Sequence, residues 1–522
     1  MTPMLHGMVR MNTTKKNVLF LITHDVGPVY GCYGNHQIHS PNVDHLARES
    51  VQFDSHFCQW PLCGPSRANL FTGCRPLTTQ RYNNQPFFNE FRTRAPAGFA
   101  SLPEKFSHHG WRSHGIGFIY HDEVDETSWT EGHRKPAPIT DPLPPWAEGW
   151  FTSDELYEWK APGSRELIRE RLEALKDSGM TPGEFRKREN IRRARGPAFE
   201  SAEVDDEDYY DGKTAHLACR FLEEYPEPMV KARSSQSAEQ EPYFLVVGFV
   251  APHTPFRAPS RYWDLYDSNA LSLHPNRDWP IGSADWMAGD SEPAQYYTTN
   301  GYSKPWRPND AQLRELLHGH YATISYLDAL IGKILEAAKI RSDWDNTIVV
   351  VTSDHGFSEG QHGYLGKHNM WDASLRIPLL LRIPGQRGFE SRIRRVTEHA
   401  DVYPTLSEIA GIPVPGYCEG RSFLSLLSNP EADWKDTAIS HRKPMWHDRL
   451  QVYDWCSSIR TPSHRYTEYL DQNGLVLGRE LFDYVRDPLE SRNRADDADH
   501  EAVRQALSWQ LHQAVQRPDM SL

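Results

Sequence analysis

Three kinds of side chain in this sequence could do chemistry together. The first is the thiol of Cys63 in "PLCGPSRANL", set directly before a Gly-Pro pair and followed by Ser66 and Arg67. A disulfide would need a partner, and a zinc site would need further ligands at short spacing; neither is evident around it. The second is a set of acids and imidazoles: His24-Asp25, His121, His253 and Asp354-His355. Asp25, Asp354 and His355 offer a hard cation oxygen ligands plus an imidazole. The third is positive charge for an anion, Lys367 and His368 in "YLGKHNMWD". Taken singly, each has an ordinary structural explanation. A histidine after a strand is often a hydrogen-bonded core residue, and an aspartate there often caps a helix. The informative fact is that four strand ends carry such groups.

Those strands are short apolar runs that stop abruptly at polar residues. "NVLFLIT" (Asn17–Thr23) ends at His24-Asp25, "GIGFIY" (Gly115–Tyr120) at His121, "YFLVVGFV" (Tyr243–Val250) at "APHTPF", and "TIVVVTS" (Thr347–Ser353) at "DHGFSEGQHG". Continuous apolar runs of this length predict buried parallel strands. Helices are predicted between them. One begins at Ser40-Pro41, and a long amphipathic one spans Asp310–Lys339, with Leu327, Leu330, Ile331, Ile334 and Leu335 on one side. Strands alternating with helices predict an α/β fold, a large mainly parallel sheet sandwiched by helices. Ligands of such sheets bind beyond the carboxyl ends of the strands, so the polar groups above should converge on one rim.

The stretch from about Asp122 to Gln240 is rich in Trp, Pro and charge and reads as an insertion beside the sheet; its basic run "EFRKRENIRRARG" reads as a solvated helix face. Past Gly411, alternating strands with an Asn473-Gly474 turn predict a smaller antiparallel sheet, closed by a helix in "HEAVRQALSWQLHQAV". The domains expected are therefore 14–410, catalytic, and 411–522, a C-terminal α+β subdomain.

Bulk properties exclude some classes. A net charge of −13 over 522 residues speaks against a nucleic-acid binder. Seven scattered cysteines without a CxxC pair are expected to be reduced thiols. No run has the length of a membrane span, and the N-terminal segment lacks the apolar stretch of a signal peptide. A cytoplasmic protein with no membrane partner is expected; a homo-oligomer is left open.

With these motifs in view, the chain resembles the type I, formylglycine-dependent sulfatases of the alkaline phosphatase superfamily. Cys63-Gly64-Pro65-Ser66-Arg67 matches their Cys-x-Pro-Ser-Arg motif. "NVLFLITHDVGPVYGCYG", "SPNVDHLARESVQFDSHF", "VVVTSDHGFSEGQHGYLGKHNMWDASLRIPLLLRIPG" and the terminal "ELFDYVRDPLESRN" resemble the iduronate-2-sulfatase-like and choline-sulfatase-like branch. The resemblance implies that Cys63 is oxidised to formylglycine by a formylglycine-generating enzyme, and that the aldehyde hydrate attacks a small anionic ester. It implies a divalent metal, usually calcium, held by Asp25, the modified Cys63, Asp354 and His355, with His24 beside them. Arg67 would bind the hydrate, Lys367 the sulfate oxygens, His253 the leaving oxygen, and His121 would be the base that helps release sulfate. The substrate implied is a sulfated sugar or a small organic sulfate.

Two positions depart from the family. Its Asp-Asp pair is His24-Asp25 here, which removes a negative charge and makes Mn²⁺ an alternative to calcium. Its Gly-Lys-x-x-His reads "GFIYH", so Phe118 stands at the lysine position. That loss would trouble less a phosphodiester or phosphonate monoester, with one charge spread over fewer free oxygens, and related phosphonate monoester hydrolases also lack the lysine. A phosphonate monoester or phosphodiester hydrolase is therefore the second reading, and a non-catalytic binder of a sulfated ligand the third.

Overall fold

The computed structural model describes residues 15–121, 123–136, 159–179, 181, 196–226, 241–288, 291, 293–294, 307–385, 391–447 and 452–515. The basic run from Glu184 to Arg195 lies outside them.

The main sheet is built from β1 (Asn17–Thr23), β2 (Val51–Phe53), β3 (Arg112–Gly117), β4 (His133–Arg134), β5 (Tyr243–Gly248), β6 (Thr347–Ser353), β7 (Leu379–Arg382) and β8 (Arg392–Ile393). Their order across the sheet is β8-β2-β7-β6-β1-β5-β3-β4. β1 lies in the centre and pairs in parallel with β6, Leu21 opposite Val351, and with β5, Leu21 opposite Val247. Only β7 runs antiparallel to its two neighbours.

Side chains of β1 alternate between two cores, as a strand's period of two requires. Leu19 and Leu21 pack with α1 (Pro41–Arg48), α3 (Tyr210–Glu224) and α4 (Asp310–Ile340) on one face. Val18, Phe20 and Ile22 pack with α2 (Cys63–Thr72) and α5 (Val402–Ile409) on the other. All five β1 side chains are fully buried, each contributing about 1.5–3 kcal/mol by removal from water. The fold is thus α/β, a large mainly parallel sheet covered on both faces.

β3 ends earlier than the sequence predicts, at Gly117 and not at Tyr120. The reason is a crossing of two glycines. A Cβ on Gly117 would stand 2.3 Å from the Gly248 carbonyl oxygen, and one on Gly248 would stand 2.0 Å from the Phe118 oxygen. The chain turns there with φ +80° at Gly117, and Phe118 to His121 form a loop at the sheet rim.

Within the stretch about 122–240, β4 extends the sheet and α3 packs on β3, β5 and α4. After residue 411, Ile412, Phe423, Leu426, Leu427 and Trp434 still belong to the core under the main sheet. The smaller antiparallel sheet follows, β9 (Ala438–His447), β10 (Val452–Arg460), β11 (His464–Leu470) and β12 (Val476–Asp483), in sequential order. Its last hairpin turns at Asn473-Gly474, with φ +81° at the glycine and the Asp471 carboxylate accepting from the Asn473 and Leu475 amides. Helix α6 (Glu501–Ala514) closes it through buried Leu507 and Leu511. None of the seven cysteines is joined in a disulfide. Among the described residues, no helix is long and apolar enough to cross a membrane.

Candidate active site

Cys63 is the first residue of α2, and every residue of that helix is buried. Pro65 is tolerated because amides in a first helical turn have no partner inside the helix. Gly64 is required by crowding. A Cβ there would lie 2.9 Å from both the Asn83 carbonyl oxygen and Asn84 Oδ1, while its own amide donates to Asn84 Oδ1 at 2.9 Å. The helix stops at Gly73, in the left-handed region at φ +68°. The motif therefore fixes the Cys63 side chain at a helix N-terminus, where backbone N–H groups favour an anion.

Around the Cys63 Sγ stand groups from the ends of β1 and β6 and from the segment of Lys367. His24 Nε2 is 2.8 Å away, His355 Nε2 3.4 Å and Lys367 Nζ 3.5 Å. One ligand atom from each of His24, Asp25, Cys63, Asp354 and His355 lies within 4.8 Å of all the others, and all five residues are buried. These groups could hold a divalent cation. The Asp25 carboxylate accepts from Lys367 Nζ at 3.0 and 3.1 Å, and Asp25 itself sits at φ +58°. His355 donates from Nδ1 to the Gly356 carbonyl at 3.0 Å, which leaves the Nε2 lone pair facing the cluster.

Arg67 is wholly buried and bound on every side. Its Nε donates to Asp354 Oδ2 at 2.9 Å, its Nη1 to the Phe118 and Ile119 carbonyls, and its Nη2 to the Thr23 carbonyl at 3.4 Å. The early end of β3 is what turns those two carbonyls toward the guanidinium. Burial alone would push Asp354 up, but His355, Arg67 and Lys367 bring it down to about 2, so it is a carboxylate at neutral pH. Burial lowers His24 well below its usual value, helped by His253, Lys367 and Arg67, and burial also lowers His355; both imidazoles are neutral.

His253 stands with its ring 4.7 Å from that of His24 and donates from Nδ1 to the Thr254 carbonyl at 2.7 Å. His121, at φ +68°, reaches the cluster less directly, its ring 5.1 Å from that of Phe118. The Phe118 ring stacks on His24 at 5.1 Å and 15° and carries the Arg67 guanidinium 4.7 Å from its centroid.

Several supporting residues escape a sequence reading. The Ser66 hydroxyl reaches both the Asp354 carbonyl and His399 Nδ1, tying α2 to the end of β6. Asp211 of α3 accepts from the Val250 and Ala251 amides at 2.9 and 2.6 Å and so holds the His253 loop. Asp372, five residues beyond Lys367, takes Arg460 Nε at 3.1 Å and Arg465, both from the C-terminal sheet, and the Tyr484 hydroxyl just past its last strand. For Asp211 and Asp372 the sequence shows only an acid, and for Ser66 only a place in the Cys63–Arg67 motif; neither signal names a partner.

The chain is similar to known proteins along most of its length. The sulfatase family model matches residues 16–412, and the model for the C-terminal region of N-sulphoglucosamine sulphohydrolase matches residues 360–517. Iduronate 2-sulfatase of Mus musculus is 27% identical over 95% of this chain and 93% of its own. Choline-sulfatase of Rhizobium meliloti is 25% identical over 93% of this chain and 84% of its own. The crystal structure of phosphonate monoester hydrolase of Agrobacterium radiobacter superposes with a TM-score of 0.67 at 23% identity, covering 96% of this chain and 95% of that one.

Proposed function

The chain belongs to the sulfatase family and is a sulfuric ester hydrolase, and we propose that it acts on a sulfated sugar or small organic sulfate through Cys63 converted to formylglycine. The observation that carries this reading is the position of the Cys63 side chain, within 3.5 Å of His24, His355 and Lys367 at the N-terminus of a buried helix.

Formylglycine at position 63 would supply a nucleophilic oxygen, and a divalent cation, which His24, Asp25, residue 63, Asp354 and His355 would hold, would supply positive charge for the sulfate oxygens. The residues of the chain do the rest. Lys367, already 3.5 Å from the Cys63 side chain, faces the anion and adds a fixed positive charge in a water-poor site. Arg67 locks Asp354 and the rim loop of Phe118 and Ile119 in place, so the ligands do not reorganise when substrate enters. His253, with its Nδ1–H committed to Thr254, can protonate the leaving oxygen only from Nε2, and so acts in its doubly protonated form. His121, its ring 5.1 Å from that of Phe118, serves the second proton transfer.

One observation favours a second reading. Phe118 places an apolar ring where the resemblance implies a lysine, which weakens the site for a terminal sulfate or a doubly charged phosphate more than for an ester with one charge on fewer free oxygens. Hydrolysis of a phosphonate monoester or phosphodiester by the same nucleophile is that alternative.

The deciding assay compares a sulfate monoester and a phosphonate monoester with one leaving group, with Cys63→Ala as the blank. Higher kcat/KM for the sulfate ester supports the main reading; higher kcat/KM for the phosphonate overturns it. Peptide mass spectrometry tests the nucleophile. Cys63 found only as a thiol, after co-expression with a formylglycine-generating enzyme, would remove the formylglycine step.

A further inference from the structure

The donors gathered around Cys63 are a poor set for calcium, and we propose that the centre selects a divalent first-row transition ion, Mn²⁺, Fe²⁺ or Zn²⁺, through the imidazole of His24. The inference rests on the reading above only in that a divalent cation is held there.

Calcium takes six to eight ligands, nearly always oxygen. Here two imidazole nitrogens and the Cys63 side chain accompany two carboxylates. Conversion of Cys63 would exchange sulfur for oxygen, but both nitrogens remain. His24 stands among the donors and not behind them. Its Nε2 is 2.8 Å from Cys63 Sγ, 3.2 Å from Asp25 Oδ1 and 3.6 Å from Asp354 Oδ2. His355 Nε2 is 3.3 Å from the same Asp25 oxygen and 3.4 Å from Cys63 Sγ. Donors about 2.0–2.3 Å from one ion stand about 3.3–3.7 Å apart at tetrahedral angles, so most of these edges already suit short metal–ligand bonds.

The His24 ring has little freedom to leave. It is 2% exposed, lies flat against Phe118 and has the His253 ring 4.7 Å away. A stacked ring thus does the orienting that a hydrogen bond does for many metal-bound histidines.

Charge points the same way. Each carboxylate already faces a fixed cation, Asp25 with Lys367 at 3.0 Å and Asp354 with Arg67 at 2.9 Å. Calcium affinity depends on the count of anionic ligands, and here that count is largely answered by the protein. A transition ion draws its affinity from the nitrogen donors, which Lys367 and Arg67 do not compete for.

The test uses the full chain carrying Cys63→Ser, so that sulfur cannot decide the outcome. The protein is stripped with a chelator and equilibrated with equal concentrations of Ca²⁺, Mn²⁺ and Zn²⁺, and bound metal is measured by mass spectrometry. The expected result is at least ten-fold more transition metal than calcium. Adding His24→Asp should lower that ratio at least ten-fold. Preferential uptake of calcium overturns the inference, as does a ratio unmoved by His24→Asp. If that variant does not fold, spin-echo spectroscopy of the Mn²⁺-loaded Cys63→Ser chain counts the coordinated imidazoles. Two are expected; one overturns the inference. A calcium-selective chain that hydrolyses sulfate esters would refute the metal assignment and leave the sulfatase reading standing. A transition-metal chain inert toward them would do the reverse.

Discussion

The imidazole of His24 and the ring of Phe118 lie face to face, 5.1 Å between centroids and 15° from parallel. These are the two positions at which the chain departs from the family it resembles. One departure removes a carboxylate and the other an ammonium, so the formal charge of the site is unchanged. The contact joins the two substituted positions into one stacked unit.

That unit predicts non-additive substitutions. Phe118→Lys alone sets an ammonium beside the Arg67 guanidinium, which now lies 4.7 Å from the Phe118 centroid. His24→Asp alone adds a third carboxylate to the cluster. Each is expected to destabilise the fold, and the pair together by less than the sum, with a coupling of about 1–3 kcal/mol. Urea unfolding of the four proteins measures it. Additivity within about 0.5 kcal/mol would refute the unit.

Asp354 and Arg67 are expected to behave as a buried ion pair. Asp354→Asn leaves the wholly buried guanidinium without its counter-charge. Breaking such a pair costs about 3–5 kcal/mol, and the loss should appear in unfolding of metal-stripped protein. A change below about 1 kcal/mol would mean that the carbonyls of Phe118, Ile119 and Thr23 suffice to hold Arg67.

Lys367 is expected to depend on the C-terminal sheet. Arg465 and Arg460 reach Asp372, whose amide donates to Glu490 at 3.2 Å, so the segment carrying Lys367 is anchored from outside the main domain. Arg465→Gln should lower kcat about ten- to a hundred-fold by misplacing the ammonium. A purely structural effect would lower Tm but leave the kcat of the folded fraction unchanged, and active-site titration separates the two.

Stability is expected to fall on mild acidification. Burial, before any other cause, brings His114 and His133 down to about 4 and His441 to about 3, against 6.5 in the unfolded chain. Below pH 6.5 the unfolded state therefore binds more protons than the folded one. The stabilisation is complete above pH 6.5 and is lost from there toward pH 4, by up to about 1.4 kcal/mol per pH unit for each histidine. Tm measured from pH 7.5 to 4.5 should decline before the carboxylates titrate; a Tm that stays level down to pH 5 would contradict this.

The central strands were legible because their signal is local. Asn17–Thr23 and Thr347–Ser353 are apolar runs bounded by polar residues, and both occur with those limits. The end of β3 was not legible, because Gly117 owes its conformation to Gly248, far along the chain. The same division runs through the site. His24, Asp25, Asp354 and His355 follow strands whose ends the sequence marks, and they meet. Ser66, Asp211 and Asp372 act only through contacts with distant segments, such as Ser66 with His399, 333 residues away. No pattern in one dimension carries that information.

The burial of Cys63 also sets a clock. The side chain is 1% exposed and is enclosed by His355, 292 residues further along the chain. At about 5–20 residues per second of synthesis, the cysteine waits roughly 15–60 s before that histidine is made. An enzyme that alters the thiol meets it unenclosed within this interval or on a chain held unfolded, since the finished fold leaves the residue 1% exposed.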